Sequence, residues 1–503
     1  MPEKQLNLTA GRRLAKNFTW NLLGTTVPLL MAIVAVPILI EGLGISRFGL
    51  LTLTWMVVGY FSLFDLGLGR ALTKLVAEKL SRGQDDEVRS LIWTAMLLMM
   101  ILGVLGTVMV VALSPWLVGS VLNIPSELQP ETLTAFYLLA ASIPIVIGTT
   151  GLRGILEAHQ RFGLVNAVRL PLGIFTFLGP VAVLPFSNSL VPIVAALVIA
   201  RLVSWCAYAV LCLKVAPALR RPVRIRRAML GPLIRFGGWM TVSNIVGPLM
   251  VHMDRFLIGA VVTMTAVAYY ATPYEVAAKL AIIPAALMGV LFPAFTSALA
   301  QDRTYAIRLF DRSVNYIFLL LFPIALIIVT FAHEGLTLWL GSEFANNSSV
   351  VLQLLAVGVF INCHAQVPFG MVQSAGRPDL TAKLHLIELP FYLLVLWWLI
   401  GDYGIVGAAI AWLARAAIDA VALFAMAHRV LSAATPYTLR PMIMAGMVLF
   451  VLSLGAIISG LAMKGLFLML VLPIFAVVAW FVILAKDERD LIRSRFKTIS
   501  IFN

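Results

Sequence analysis

The sequence predicts an all-α polytopic membrane protein of about 14 transmembrane helices, and three observations support this fold class. First, 61% of the 503 residues are hydrophobic and 12% are charged, whereas about 25% of residues are charged in soluble domains. Second, the apolar residues form long runs of about 20, which is enough to cross a hydrocarbon core of about 30 Å. Third, lysine and arginine are concentrated in alternate connections between these runs.

Each apolar run is a candidate span, and a β-barrel is excluded because its segments are about 10 residues long with alternating hydrophobicity. Six runs precede a strongly basic connection, six follow it, and two more lie near the C-terminus. In order, the candidate spans cover residues 18–41, 47–67, 91–113, 132–152, 164–184, 190–213, 236–262, 268–298, 313–332, 348–372, 384–401, 404–428, 441–462 and 465–485.

The charge distribution predicts the orientation of these spans. The two termini and alternate connections hold 31 of the 37 lysine and arginine residues, and the opposite connections hold only Arg47 and Lys464. By the positive-inside rule, both termini are expected in the cytoplasm. The net charge of +14 is explained by this topology and by anionic lipid headgroups, so no nucleic-acid partner is expected.

The most basic connection divides the chain into two halves. We expect an N-terminal six-helix bundle over residues 1–214, a basic cytoplasmic linker over 215–235, a second six-helix bundle over 236–430, and two additional helices with a basic tail over 431–503. Because six is an even number, the two bundles share one orientation. They are then related by an axis along the membrane normal, with a substrate path between them.

The sequence lacks the common motifs of nucleotide-binding proteins, metalloproteases and serine hydrolases. It contains no Walker A, H-E-x-x-H or G-x-S-x-G pattern, so we expect neither an enzyme nor a cofactor. The three cysteines and six histidines show no metal-ligand spacing, and no metal ion is expected. The longest outer connection, about 114–131, is too short to fold alone. This argues against a membrane glycosyltransferase or polymerase, which remains the alternative from a different class.

Charged residues inside the spans are the candidate site residues, because each costs about 2.5–3.5 kcal/mol at membrane depth. Arg201 lies near the middle of the sixth span, with no acidic residue within four positions. Asp254 and Arg255 are adjacent in the seventh span, so they point in different directions and at least one needs a partner elsewhere. Arg201 is interpreted equally well as a cation lining a polar path or as a structural partner for an acid on another span.

Two further pairs have the spacing of local ion pairs. Glu275 and Lys279 in the eighth span, and Arg415 and Asp419 in the twelfth, are four residues apart and can neutralise each other on one helix face. Their simplest interpretation is structural. The alternative is that these side chains line a polar path.

The end of the second span has a further candidate pair. Asp65 is expected either to pair with Arg70 or to act as a protonatable coupling group, with the pairing favoured. Glu388, His252 and His364 are weaker candidates. Four embedded cations stand against five acids, so the spans show no cationic surplus.

Two stretches carry a family resemblance. The first comprises LIEGLGISRFGLLTL (39–53) and LFDLGLGRALTKLVAE (63–78); the second is MDRFLIGAVVTMTAVAYYATPYEVAAKL (253–280). They are similar to an LG…FG turn followed by D-x-G-x, and to a D-R-x-x-I-G…Y-x-x-A/P-x-x pattern. Both patterns are typical of the polysaccharide-transporter branch, with Wzx-type O-antigen flippases, of the multidrug/oligosaccharidyl-lipid/polysaccharide flippase superfamily.

The resemblance implies transport of an undecaprenyl-diphosphate-linked oligosaccharide from the cytoplasmic to the outer leaflet of the bacterial inner membrane, by alternating access. The implied partners are this glycan, membrane lipids and other polysaccharide assembly proteins, with H⁺ or Na⁺ as a coupling ion. The residues expected to contact diphosphate or sugar are Arg255, Lys279, Arg201, Arg70 and Tyr270. Those expected to couple or gate transport are Asp65, Asp254, Glu275, Arg415 and Asp419.

Two relatives in the same superfamily remain as alternatives. The lack of a cationic surplus leaves open a cation-coupled drug antiporter, in which embedded acids bind Na⁺ or H⁺. A peptidoglycan-precursor flippase is also related, but the first two spans lack a cluster of arginines.

Overall fold

The computed structural model describes residues 27–28, 30–61, 65, 67–81, 83–220, 231, 249–431, 439–484 and 486–490. Within these ranges the secondary structure is helical throughout, with no strand. Eight described helices are long and apolar enough to cross a membrane, and three shorter apolar helices accompany them. The all-α fold is therefore confirmed, and the chain is a multi-pass membrane protein.

The count of fourteen spans stays a prediction. Parts of the first, second, seventh and fourteenth candidate spans, most of the linker 215–235 and the tail from 491 onward lie outside the described residues. The described residues form two compact units that divide between Ala268 and Tyr269. The three predicted boundaries between the four segments likewise remain predictions.

The first unit contains eight described helices and the start of a ninth. They are α1 (Leu30–Leu43), α2 (Ile45–Phe61), α3 (Leu68–Ser81), α4 (Asp85–Trp116), α5 (Gln129–Ala158), α6 (Phe162–Val183), α7 (Leu190–Val215), α8 (249–261) and α9 (Met264–Ala278), which crosses the boundary. Helix α5 packs against α3, α4 and α7. Small residues allow this close packing, since a Cβ atom at Gly103 of α4 would lie 2.7 Å from Pro144 Cα of α5.

The second unit continues from the rest of α9 through a 3₁₀ turn (Lys279–Ala281). Its helices are α10 (Ile282–Gln301), α11 (Arg303–Thr330), α12 (Ala332–Leu340), α13 (Ser342–Ser374), α14 (Pro378–Leu431), α15 (Leu439–Ile457) and α16 (Leu461–Val478). Helix α13 packs against α10, α11, α12 and α14. The additional helix α15 is tied to this core by Gln353, whose side-chain amide donates to the Val329 and Ala456 carbonyls.

Helix α14 is a hairpin of two helices. Its 54 residues would extend about 80 Å if straight, far beyond a bilayer core of about 30 Å. At Gly404 the backbone leaves the helical region, with φ 57° and ψ −135°. His385 and Asp419, on opposite sides of this break, lie 3.4 Å apart. The two predicted spans 384–401 and 404–428 are therefore antiparallel and joined at Gly404.

The contact between α2 and the start of α9 depends on Gly49. A Cβ atom there would lie 1.9 Å from the Met264 carbonyl oxygen, and the neighbouring hydroxyls of Ser46 and Thr265 are 2.8 Å apart. We expect Gly49→Ala to destabilise the protein by about 2–3 kcal/mol, because the helices must separate. Melting of the detergent-solubilised protein checks this. Gly163→Ala, where no atom lies within 4 Å, is the control; equal melting temperatures would contradict the prediction.

An ion pair fastens α12 to α16 in the second unit. Both carboxylate oxygens of Glu334 lie 2.8 Å from Lys464 Nζ. Burial alone would raise the pKa of Glu334, but the hydrogen bonds from Lys464 outweigh it, so this pKa lies below its ordinary value. A depressed carboxyl pKa stabilises the fold above the unfolded-chain value of about 4.3, and this stability is lost as the pH falls through the folded-state pKa.

Acidification should therefore lower the melting temperature more in the wild type than in Glu334→Gln. The expected difference is about 1 kcal/mol or less, since the pair is partly exposed. Melting curves of both proteins between about pH 3 and pH 7 measure it. Parallel curves would show that the pair contributes nothing.

Candidate functional site

Arg201 is the candidate whose surroundings are most unusual. It lies near the middle of α7, an apolar helix that begins after Ser189, whose hydroxyl accepts from the Val191 backbone N–H. Its Nε atom is hidden from solvent without a hydrogen-bond partner. No hydrogen bond or ion pair of Arg201 occurs with the part of the chain that the structure describes. A guanidinium in this position is available to an external acceptor.

Trp205 follows Arg201 by one helical turn and shares its face of α7. Its indole Nε1 is also buried without an acceptor among the described residues. The indole fits because Gly148 of α5 has no side chain; a Cβ there would lie 2.8 Å from Trp205 Nε1. The face of α7 toward α5 thus presents donors that the described protein does not satisfy.

Asp254 and Arg255 on α8 are almost completely buried, at 0% and 4% exposure. The Asp254 carboxylate accepts from the Arg255 backbone N–H at 2.7 Å. Arg255 Nη1 lies 3.4 Å from His252 Nδ1. The acid and base therefore belong to one local polar group, which makes further interactions of its own.

The eighth predicted span contains the candidates Tyr270, Glu275 and Lys279, of which two form an ion pair. Lys279 Nζ lies 3.2 Å from Glu275 Oε2, both side chains being exposed, so the local pair is as expected. Tyr270 is fully buried in α9. Contact of Lys279 or Tyr270 with substrate stays a prediction.

Asp65 has other partners than the expected Arg70. Its carboxylate accepts from the Gly67 and Gly69 backbone N–H groups at 2.8 and 3.2 Å, and from the Thr150 hydroxyl at 3.0 Å. Arg70 is exposed. An acid before a helix satisfies the free N–H groups of the first turn and is favoured by the helix dipole. Asp65 therefore anchors the start of α3 to α5.

The expected pair of Arg415 with Asp419 is also replaced. The Arg415 guanidinium lies over the rings of Tyr392 and Trp412, at 5.5 and 5.2 Å from their centroids. Asp419 instead faces His385 on the other arm of the α14 hairpin. Cation–π contact to two rings competes well with an ion pair for a desolvated guanidinium.

The sequence alone does not identify two further charged or titratable residues that make contacts inside the fold, Arg89 and His385. Arg89 lies in the connection before the predicted span 91–113, but in the structure it belongs to α4 and is 6% exposed. The apolar neighbours Val88, Leu91 and Ile92 are the signal that could have indicated its burial. The sequence does not predict a role for His385, because its partner Asp419 is 34 positions away.

A surface cleft in the first unit collects none of the predicted site residues. It measures about 370 Å³ and is lined by Ser46, Asn123, Ile124, Pro125, Thr263, Met264 and Thr265. Its amide and hydroxyls already bond within the protein, with Asn123 donating to the Ala260 and Val262 carbonyls. We therefore do not assign it a ligand.

Comparison with known proteins places the chain in a family. Residues 14–299 match the family model described as polysaccharide biosynthesis protein. A putative O-antigen transporter of Shigella flexneri is 35% identical over 418 residues, which are 81% of this chain and 96% of the relative.

Solved structures have the same fold. An inward-facing multidrug resistance MATE family transporter of the MOP superfamily superposes with a TM-score of 0.69 and 14% identity, over 82% of this chain and 98% of that one. The lipid II flippase MurJ in an inward closed conformation gives 0.65 and 12%, over 94% and 100%. The chain therefore belongs to the polysaccharide biosynthesis protein family and has the fold of these membrane transporters.

Proposed function

We propose that the protein translocates a lipid-linked oligosaccharide across the membrane for surface polysaccharide biosynthesis, by alternating access. The similarity to the putative O-antigen transporter, over nearly its whole length, supports the substrate class. The observation that carries the proposal is Arg201, a membrane-embedded guanidinium without an acceptor among the residues that the structure describes. Such a group is costly unless a ligand uses it.

An undecaprenyl diphosphate carrier accounts for that chemistry. Its diphosphate offers several anionic oxygens, and a guanidinium binds two such oxygens at once. The Trp205 indole can donate to a sugar hydroxyl or stack on a sugar ring. Arg255 on α8 is a further cation suited to the polar part of the substrate.

Direction and energy source form the remaining part of the proposal. The basic connections favour cytoplasmic termini in a bacterial inner membrane, and transport then runs from the cytoplasmic to the outer leaflet. H⁺ or Na⁺ is the coupling ion, with Asp254 and Glu275 as its candidate acceptors. Other polysaccharide assembly proteins supply and consume the glycan on the two leaflets.

Lipid analysis of a depletion strain tests this function. Loss of the protein should cause undecaprenyl-diphosphate-linked glycan to accumulate on the cytoplasmic leaflet. Purified protein in proteoliposomes should in turn move a fluorescent polyprenyl-diphosphate glycan between leaflets, followed by the fraction that an impermeant quencher reaches. No accumulation, combined with altered sensitivity to cationic drugs, would overturn the proposal in favour of a drug antiporter.

A further inference from the structure

The α14 hairpin brings three potential metal ligands together. His385 and Glu388 lie three positions apart on the first arm, and Asp419 lies on the second. One ligand atom from each falls within 4.8 Å of the others. Residues at i and i+3 face the same side of a helix, and His with Glu at this spacing is an arrangement that holds metal ions in helix bundles.

Three carboxylate oxygens of this cluster accept no hydrogen bond from the described residues. Asp419 is 4% exposed, and its Oδ1 atom accepts no hydrogen bond within the described chain. Both oxygens of Glu388 are likewise buried and unbonded among the described residues. Buried carboxylate oxygens normally have donors, and an exception calls for a specific cause such as a bound ion. Contact with His385 serves only Asp419 and leaves both Glu388 oxygens without a donor among the described residues.

The distances match a small tetrahedral ion. With bonds of about 2.0–2.2 Å, two ligand atoms of a tetrahedral Zn²⁺ centre lie about 3.4 Å apart. His385 Nε2 and Asp419 Oδ1 are 3.4 Å apart. The ligand atom of Glu388 lies within 4.8 Å of the other two, and binding would require its side chain to move closer by rotation about its χ angles.

The surroundings support such a site. Phe369 of α13 stacks on His385, with ring centroids 6.0 Å apart and an angle of 12°, which holds the imidazole plane. Buried Ala365, Ala420 and Leu423 form an apolar layer beside these residues. An apolar shell restricts water and strengthens the attraction between ligand and ion.

Charge balance does not decide between an empty and a filled site. Arg415, one turn from Asp419, offsets one of the two carboxylates. Asp419, Glu388 and Arg415 together then carry one formal negative charge, which becomes one positive charge with a divalent ion. Ligand type is decisive, because Na⁺, Mg²⁺ and Ca²⁺ prefer oxygen ligands alone whereas imidazole suits Zn²⁺.

We propose that His385, Glu388 and Asp419 form a binding site for a divalent transition-metal ion of the Zn²⁺ type. Three protein ligands leave a fourth position for water. His385 is 25% exposed, so the site is not completely enclosed by the protein. The site lies within the second unit and does not depend on the proposed transport.

Metal titration of the purified protein tests this site. The whole chain, carrying a tag without histidine, is stripped with chelator and titrated with Co²⁺, a visible probe for Zn²⁺ sites. We expect one Co²⁺ per chain with the absorption of a tetrahedral centre, displaced by Zn²⁺. Asp419→Asn and Glu388→Gln should each weaken binding at least tenfold. Asp379→Asn, on the same helix and exposed, should not.

The opposite results would overturn the site. These are no stoichiometric binding by the folded wild type, or equal affinity in the ligand variants and the control. Because Asp419→Asn or Glu388→Gln could lose binding by failing to fold, a conservative variant that keeps a metal ligand is also needed. His385→Cys retains a ligand, so it should bind Co²⁺ and add a thiolate-to-cobalt charge-transfer band. A monodisperse His385→Cys protein without this band would contradict the assignment.

Discussion

Arg201→Gln is expected to abolish glycan translocation while leaving the amount of folded protein unchanged. A rate about 100-fold lower corresponds to losing two charge-assisted hydrogen bonds to the diphosphate. Stability should not fall, because Arg201 makes no hydrogen bond or ion pair with the described residues. It should even rise slightly, since a desolvated charge without a partner among the described residues is unfavourable.

Paired measurements separate these two effects. Translocation is followed in proteoliposomes, and the melting temperature is measured on the same preparation. Arg201→Lys should retain part of the rate because it keeps the positive charge. The rate should still be lower than in the wild type, because lysine cannot bind the diphosphate in a bidentate manner. Arg169→Gln, an exposed arginine of the same unit, is the control. A normal rate in Arg201→Gln would remove Arg201 from the substrate path.

Asp65→Ala should be the most destabilising of the single substitutions considered. Three donors lose their acceptor at once: two backbone N–H groups at the start of α3 and the hydroxyl of Thr150. The expected cost is about 3 kcal/mol or more, because the N–H groups remain buried. Melting temperature and membrane level both measure it.

Two milder variants show whether Asp65 also has a coupling role. Thr150→Val removes one of the three bonds and should cost about 1 kcal/mol. Asp65→Asn retains one acceptor oxygen, so it should fold better than the alanine variant. If Asp65→Asn melts like the wild type but transport loses its dependence on pH or Na⁺, coupling rather than anchoring is the main role of Asp65.

The helices were predictable because their signal is local. Runs of about 20 apolar residues give candidate spans directly, and 91–113, 132–152 and 190–213 fall inside α4, α5 and α7. The short helix α12 was not predicted, because its nine residues merge with the apolar run before it. Hydropathy detects the membrane crossing and does not detect a helix that follows it.

The side-chain partners were less predictable. Helical spacing predicted the Glu275–Lys279 pair, in which both residues lie on one exposed face. The same rule failed for Arg415 and Asp419, because neighbouring rings and His385 compete for them inside the fold. Spacing specifies which residues share a face, and tertiary packing decides which contacts they make.

The single-residue turn at Gly404 also limits how this region can change in length. Each added residue rotates the following helix by about 100° and advances it by about 1.5 Å. One insertion at the turn would therefore carry Asp419 away from His385 and expose a different stripe of the second arm. A longer loop can accommodate an added residue by changing its own conformation. The two arms of α14 are joined at the single non-helical residue Gly404, so no loop is present to do this. Insertions and deletions between the two arms should consequently be tolerated far less than point substitutions.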